Sequence, residues 1–173
     1  MTEKQERIVK SALELFANSG YEATSTSKVA KAAGVSEGRI FRHFTNKEGL
    51  LNAILELGKQ KINANFLKIL TIEEPYSILH GVICFPFDIK EEEYYYWKLL
   101  YAHKWQSDVY DSSMTAPIRN TLIGVFGSLK YVDPETEADL LISILDGIAT
   151  SILLNRPANM EKVKLALLAK YWL

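Results

Sequence analysis

The chain has 173 residues, 48% of them hydrophobic and 24% charged, with a formal net charge of −1; that is ample apolar content for one large core or two smaller ones, and too little positive charge to coat nucleic acid indiscriminately. Cys84 is the only cysteine, which excludes an intramolecular disulfide and a cysteine-based metal site within one chain, and its apolar neighbours Val82, Ile83 and Phe85 mark it as a small buried hydrophobe. Met1 to Lys10 is charged rather than a signal-like apolar segment, and the most hydrophobic stretch, Leu140 to Leu154, is short for a membrane span and contains Asp146, so a soluble cytoplasmic protein with no membrane partner is expected.

The first predicted helix opens on a capping box, Thr2 with Gln5, carries Ile8, Val9, Ala12, Leu13 and Phe16 at helical spacing, and ends at Gly20. Ser25 and Thr26 offer side-chain oxygens to a second helix start, and Val29, Ala30 and Ala33 follow until Gly34 permits a left-handed stop. Only Val35 then separates Gly34 from Ser36, the expected N-cap of a third helix running from Glu37 to Phe44. Its Ile40, Phe41 and Phe44 are expected to bury a face, with Arg39, Arg42 and His43 pointing away. Asn46 caps a fourth helix beginning at Lys47, with Leu50, Leu51, Ile54 and Leu57 as its apolar stripe. Two short helices joined by a tight glycine turn, steadied by flanking helices, form a helix-turn-helix, a shape that places one helix in the DNA major groove.

Beyond this point Pro75, Pro86, Pro117, Pro134 and Pro157 punctuate further helices, read as Leu51 to Leu70, Tyr76 to Phe85, Glu91 to Gln106, Thr115 to Leu129, Pro134 to Leu154 and Ala158 to Tyr171. Asp133-Pro134-Glu135 is the best-defined start, an N-cap followed by proline at the first helical position. The fold class expected is all-α: a three-helix DNA-binding domain at residues 1–50, joined by a long helix to a helical ligand-binding and dimerisation domain at residues 51–173. The first carries eight Lys/Arg against six Asp/Glu, net +2, and the second twelve against fifteen, net −3. DNA affinity therefore depends on a few well-placed cations, doubled by dimerisation.

Tyr94, Trp97, Tyr101 and Trp105 share one helical face and, with Phe85, Phe87 and Phe126, suit either an apolar ligand cavity or a packed core. His80 and His103 have no assigned role. Leu141, Ile144, Leu145, Ile148 and Ile152, with Leu167, Leu168 and Tyr171 in the last helix, are apolar over more surface than one core needs, which points to a two-fold dimer interface or, alternatively, to a helix central to its own monomer. No nucleophile–base–acid set, phosphate-binding glycine loop or pair of carboxylates with convincing spacing is evident in the sequence, so an enzyme, a cofactor or a metal is not expected.

On the reading helix, Arg39 suits the bidentate contact to guanine O6 and N7, and equally a phosphate; Arg42 leans toward phosphate. Glu37 suits acceptance from cytosine N4 or simple stabilisation by the helix dipole. Lys47 opposes the dipole at its helix start, which a nearby phosphate would offset, and Gly38 leaves room for close backbone approach.

The ordered set Ala12, Leu13, Phe16, Gly20, Tyr21, Thr24, Ala30, Ala33-Gly34-Val35-Ser36, Gly38, His43-Phe44, Lys47 and Leu50-Leu51 resembles the N-terminal domain of the TetR family of bacterial transcriptional regulators, over roughly Glu3 to Leu57. The resemblance implies a repressor that binds a palindromic double-stranded DNA operator as a homodimer and is released by a small-molecule effector. It also implies phosphate contacts at Thr26, Ser36, Gly38, His43 and Lys47, and base contacts at Glu37, Arg39 and Arg42. Phe41 stands where the family often has a phosphate-binding tyrosine, and Arg39 replaces a smaller residue.

Overall fold

The computed structural model describes residues 1–106, 115–155 and 157–173, excluding the side chains of Trp105 and Gln106. Among the described residues the structure is all α: α1 Glu3–Ser19, α2 Thr26–Ala33, α3 Glu37–Phe44, α4 Lys47–Leu70, α5 Pro75–Cys84, α6 Tyr94–Gln106, α7 Ala116–Ser128, α8 Pro134–Asn155 and α9 Met160–Lys170, with short 3-10 turns at Phe85–Asp88 and Glu91–Glu93. No helix among these residues is long and apolar enough to cross a membrane.

The helix ends follow from local chemistry. The Thr2 N–H donates to Gln5 Oε1 at 2.8 Å while the Gln5 N–H donates to Thr2 Oγ1 at 3.4 Å, completing the capping box. Ser25 Oγ accepts from the Lys28 N–H, and Gly34 closes α2 at φ +64° and ψ +39°, a left-handed backbone that glycine adopts without Cβ strain. Asp133 caps α8 by accepting from both the N–H and the hydroxyl of Thr136, bonds that hold its carboxyl below the usual range. The start of α5 differs by one residue from expectation. Pro75 is its first residue because Glu74 caps it, accepting from the N–H groups of Tyr76 and Ser77 at 3.0 and 2.5 Å.

The chain forms two compact units. The first consists of α1 to α3, α4 as far as Lys61, and α6. Its core joins Ile8, Ala12 and Phe16 of α1 to Val29, Ile40, Leu50 and Ile54, with Leu99 from α6. Gly58 of α4 admits α6 closely: a Cβ there would lie 3.1 Å from Tyr96 Cδ1. Lys61 Nζ sits 5.2 Å from the centre of the Tyr96 ring. Packing thus places the seam between the two compact units inside α4, at residues 61 and 62, and groups α6 with the helix-turn-helix.

The second unit contains the rest of α4, α5 and α7 to α9. Leu79, Ile83, Leu122, Phe126, Leu141, Leu168 and Tyr171 form its centre. The Phe126 ring lies 4.8 Å from that of Tyr131 and 5.9 Å from that of Tyr171. On the surface Arg119 of α7 grips Asp139 of α8 through Nε and Nη2 at 2.6 and 2.9 Å, holding that carboxyl below its usual range; the pair is exposed and fixes geometry more than stability.

Tyr171 is 2% exposed, and its hydroxyl donates to Glu137 Oε1 at 2.8 Å. Burial first, then the Glu137 carboxylate, push its ionisation well above the ordinary phenol value. Because the folded state disfavours the phenolate, this contribution is fully present below pH ~10 and is lost as the pH rises further. Tyr171→Phe is therefore expected to cost about 0.5–1.5 kcal/mol at neutral pH and to blunt the alkaline fall in melting temperature, as thermal unfolding measured between pH 8 and 11 checks.

Candidate nucleic-acid interface

The motif is held by its first-unit core. Thr24, buried between α1 and α2, donates its hydroxyl to the Gly20 carbonyl at 2.8 Å, fixing the loop that leads into α2. Gly34 and the Val35 N–H, which donates to the Ala30 carbonyl at 3.0 Å, then turn the chain directly into α3. Ser36 takes the N-cap position with extended backbone, yet its side chain makes no capping bond. Beside it Glu37 accepts from the Thr26 hydroxyl at 2.5 Å, which ties the first residue of α3 to the first residue of α2.

Ile40 is the only fully buried side chain of α3, at 0% exposure. Phe44 and His43 are half-buried beside it, their rings edge to face, while Gly38, Phe41 and Arg42 are exposed. Phe41, expected in the buried face, is 45% exposed. The helical wheel explains it: one residue on from Ile40 is a rotation of about 100°, which carries Phe41 to the outward side with Gly38 and Arg42. Arg39 lies at the flank of that face and is half-buried. A Cβ at Gly38 would meet nothing within 4 Å, so the middle of the outward face is open backbone, bordered by an aromatic ring and a guanidinium.

Of the other sequence-derived positions, Ser25 is exposed and caps α2, and Thr26 is half-buried in its bond to Glu37. Lys47 Nζ lies 4.0 Å from the Tyr21 ring centre and 4.0 Å from Glu22 Oε2, so α4 starts with its cation already held by the α1–α2 loop. Burial, with Glu22 and Glu48 nearby, raises the Tyr21 phenol above its usual value. Asn46 does cap α4, accepting from the Gly49 N–H at 2.7 Å.

The turn between α3 and α4 went unread in the sequence. Thr45 has φ +66° and ψ −51°, and the Asn46 N–H donates to the Phe44 carbonyl at 2.7 Å, which together make a three-residue γ-turn about a β-branched residue in a strained backbone conformation. Gly49 permits it, since a Cβ there would lie 2.1 Å from the Phe44 carbonyl oxygen. The glycine in Lys47-Glu48-Gly49-Leu50, within the first turn of a helix, was the available signal.

The aromatic positions fall in both units. Trp97 is 7% exposed and lies 6.3 Å, ring centre to ring centre, from the half-buried Tyr101; Tyr94 is half-buried and meets Tyr95 edge to face. In the second unit Phe85 lies 3.8 Å from Phe66, and Phe126 is enclosed by Tyr131 and Tyr171. The Trp105 side chain lies outside the described residues. His80 and His103 are exposed; a His80 ring nitrogen lies 3.7 Å from Cys84 Sγ, and burial raises that thiol. Among the predicted interface residues Leu141, Leu167, Leu168 and Tyr171 fill the interior of the second unit, whereas Ile144, Leu145, Ile148 and Ile152 are half-buried.

A glycine-turned pair of short helices, the second seated by one isoleucine and open on its outer face, on a three-helix core, defines a helix-turn-helix protein. Residues 8–54 match the family model described as bacterial regulatory proteins, tetR family. It is 46% identical over 55 residues to the uncharacterized HTH-type transcriptional regulator YvkB of Bacillus subtilis, covering 32% of this chain and 29% of that protein. The chain spans less than half the length of the curated relatives it matches. A transcriptional regulator from Rhodococcus superposes with a TM-score of 0.78 at 24% identity, covering 97% of this chain and 93% of that one. AibR in complex with isovaleryl coenzyme A and operator DNA superposes with a TM-score of 0.70 at 20% identity, covering 97% of both chains. At these identities the likeness concerns the fold.

Proposed function

We propose that this chain is a DNA-binding transcriptional regulator: a homodimeric repressor of a palindromic operator, released by a small hydrophobic or aromatic effector. The observation that carries the proposal is the exposed face of α3, where Gly38, Phe41 and Arg42 stand outward with Arg39 at their flank. A groove-reading helix needs such a face, with backbone accessible and cations able to reach phosphates and base edges. Operator occupancy alone blocks polymerase, which favours repression. The AibR complex with an acyl-coenzyme A and operator DNA supports the same division of labour, and the passage of α4 through both units gives it a covalent path.

A dimer is supported by the outward side of α8, where Leu140 and Leu154 are exposed, Ile144 is half-buried and Gly147 is open, with exposed Leu165 on α9. This is the face left after Ala138, Leu141, Ala149 and Leu153 turn inward, and two copies would pack it about a two-fold axis. For the effector, Tyr94, Trp97 and Tyr101 remain the proposed contacts. The burial of Trp97 and Phe126 favours a second reading at those two positions, a filled interior with control by a partner protein. Saturation of the protein's response by a medium-chain acyl compound, read as operator release, separates the two.

The purified chain is expected to prefer duplex DNA from upstream of its own gene over random duplex, with affinity falling steeply as salt rises; equal binding to both would end the regulator proposal. Arg39→Ala is expected to remove about 1–3 kcal/mol of discrimination at one operator position, measured by competition with single-base operator variants. Uniform weakening on every sequence would reassign Arg39 to phosphate.

A further inference from the structure

We propose that Glu37 is a positioning residue of the DNA-binding motif, which fixes the start of α3 against the start of α2 through Thr26 and leaves base reading to the arginines. The inference rests on the DNA-binding function proposed above and identifies which side chains act within it.

Three observations converge. Glu37 Oε1 accepts the Thr26 hydroxyl proton at 2.5 Å, a bond between residues eleven apart in sequence and partly buried between the two helices. Ser36, whose hydroxyl is the residue type normally used to hold this helix end, makes no capping bond. The body of α3 is anchored by a single fully buried side chain, Ile40, three residues further on. Ile40 and the half-buried Phe44 hold the middle and far end of α3 against the same core, and a directional contact at its first residue is what fixes the near end. The Thr26–Glu37 bond is that contact among the described residues.

The chemistry also argues against Glu37 as a base reader. A carboxylate brought to DNA meets phosphate repulsion, which a hydroxyl donor and the positive end of α3 offset where Glu37 now sits. With Oε1 committed to Thr26, the carboxylate is held toward α2 and only Oε2 is left to accept from cytosine N4. Thr26, in turn, has given its one hydroxyl proton to Glu37 and has none for a phosphate. The two residues therefore act as a unit, and their effects should not add.

The test is a double-mutant cycle in the full-length chain, binding a duplex from upstream of its own gene and a random duplex. Glu37→Ala and Thr26→Val are each expected to weaken the preference for the upstream duplex about tenfold, and the double variant by no more than either alone. Glu37→Gln, which keeps an acceptor oxygen, and Thr26→Ser, which keeps the donor, should each restore most of the loss, and they keep the test decisive if an alanine variant unfolds. Additive effects, or a Glu37→Ala variant that relaxes one base-pair position while Thr26→Val does not, would overturn the proposal and return Glu37 to base readout. If the unmodified chain shows no preference between the two duplexes, the DNA-binding function itself has failed, an outcome distinct from additivity.

Discussion

Ile40→Ala should lower the stability of the helix-turn-helix unit by about 2–5 kcal/mol and weaken DNA binding on every sequence alike. An eight-residue helix is far below the length at which helices persist alone in water, so α3 exists because it is docked. Ile40, at 0% exposure, is the one side chain that docks it completely. Truncation to alanine removes that apolar area and leaves a space walled by neighbours in the Val29, Leu50 and Ile54 cluster. Thermal unfolding followed by circular dichroism measures the first effect, and fluorescence anisotropy on operator and random duplexes the second. Ile40→Val, losing one methylene, should cost about 0.5–1.5 kcal/mol and keep binding near normal. A binding loss confined to particular base pairs in Ile40→Ala would mean that α3 is seated by something other than this residue.

Phe126→Ala should be at least as costly, about 3–5 kcal/mol, in the second unit. Phe126 is fully buried and its ring meets those of Tyr131 and Tyr171 at tilted angles, aromatic contacts that add about 0.5–1.5 kcal/mol each beyond burial. Urea unfolding gives the magnitude. The experiment also discriminates between roles: a structural ring lowers the unfolding midpoint with or without effector, whereas a ring that served only to touch a ligand would leave the midpoint in place and alter the response to that ligand.

Much of the helix layout was legible where its signals are local. A capping box, a serine N-cap, a left-handed glycine and an Asp-Pro start each write their geometry into two to five adjacent residues, and Thr2, Ser25, Gly34 and Asp133 all behave accordingly. What escaped depends on partners distant in sequence or on backbone strain. Periodicity places Phe41 beside Ile40 but cannot say which of two adjacent apolar residues the core will take. It marks α8 as apolar around most of its circumference without distinguishing Leu141, which turns inward, from Leu140, which does not. The joining of α6 to the first unit rests on Tyr96 and Leu100 meeting Gly58, and on Leu99 entering the same core, from far along the chain. The Thr26–Glu37 bond has no sequence signature, and Ser36 looked like the better cap. Nothing in a threonine announces a left-handed γ-turn, as Thr45 adopts.

The shortness of the links on either side of α3 has an evolutionary consequence. Gly34 and Val35 leave no slack before Ser36, and the γ-turn at Thr45, with Gly49 pressed against the Phe44 carbonyl, leaves none after. Insertions and deletions are thereby barred from this segment, while exchanges at exposed Gly38, Phe41 and Arg42 fall where substitutions ordinarily change stability by no more than about 0.5 kcal/mol. On the proposed DNA-binding role, new sequence preferences are therefore reachable one substitution at a time, through intermediates that remain folded.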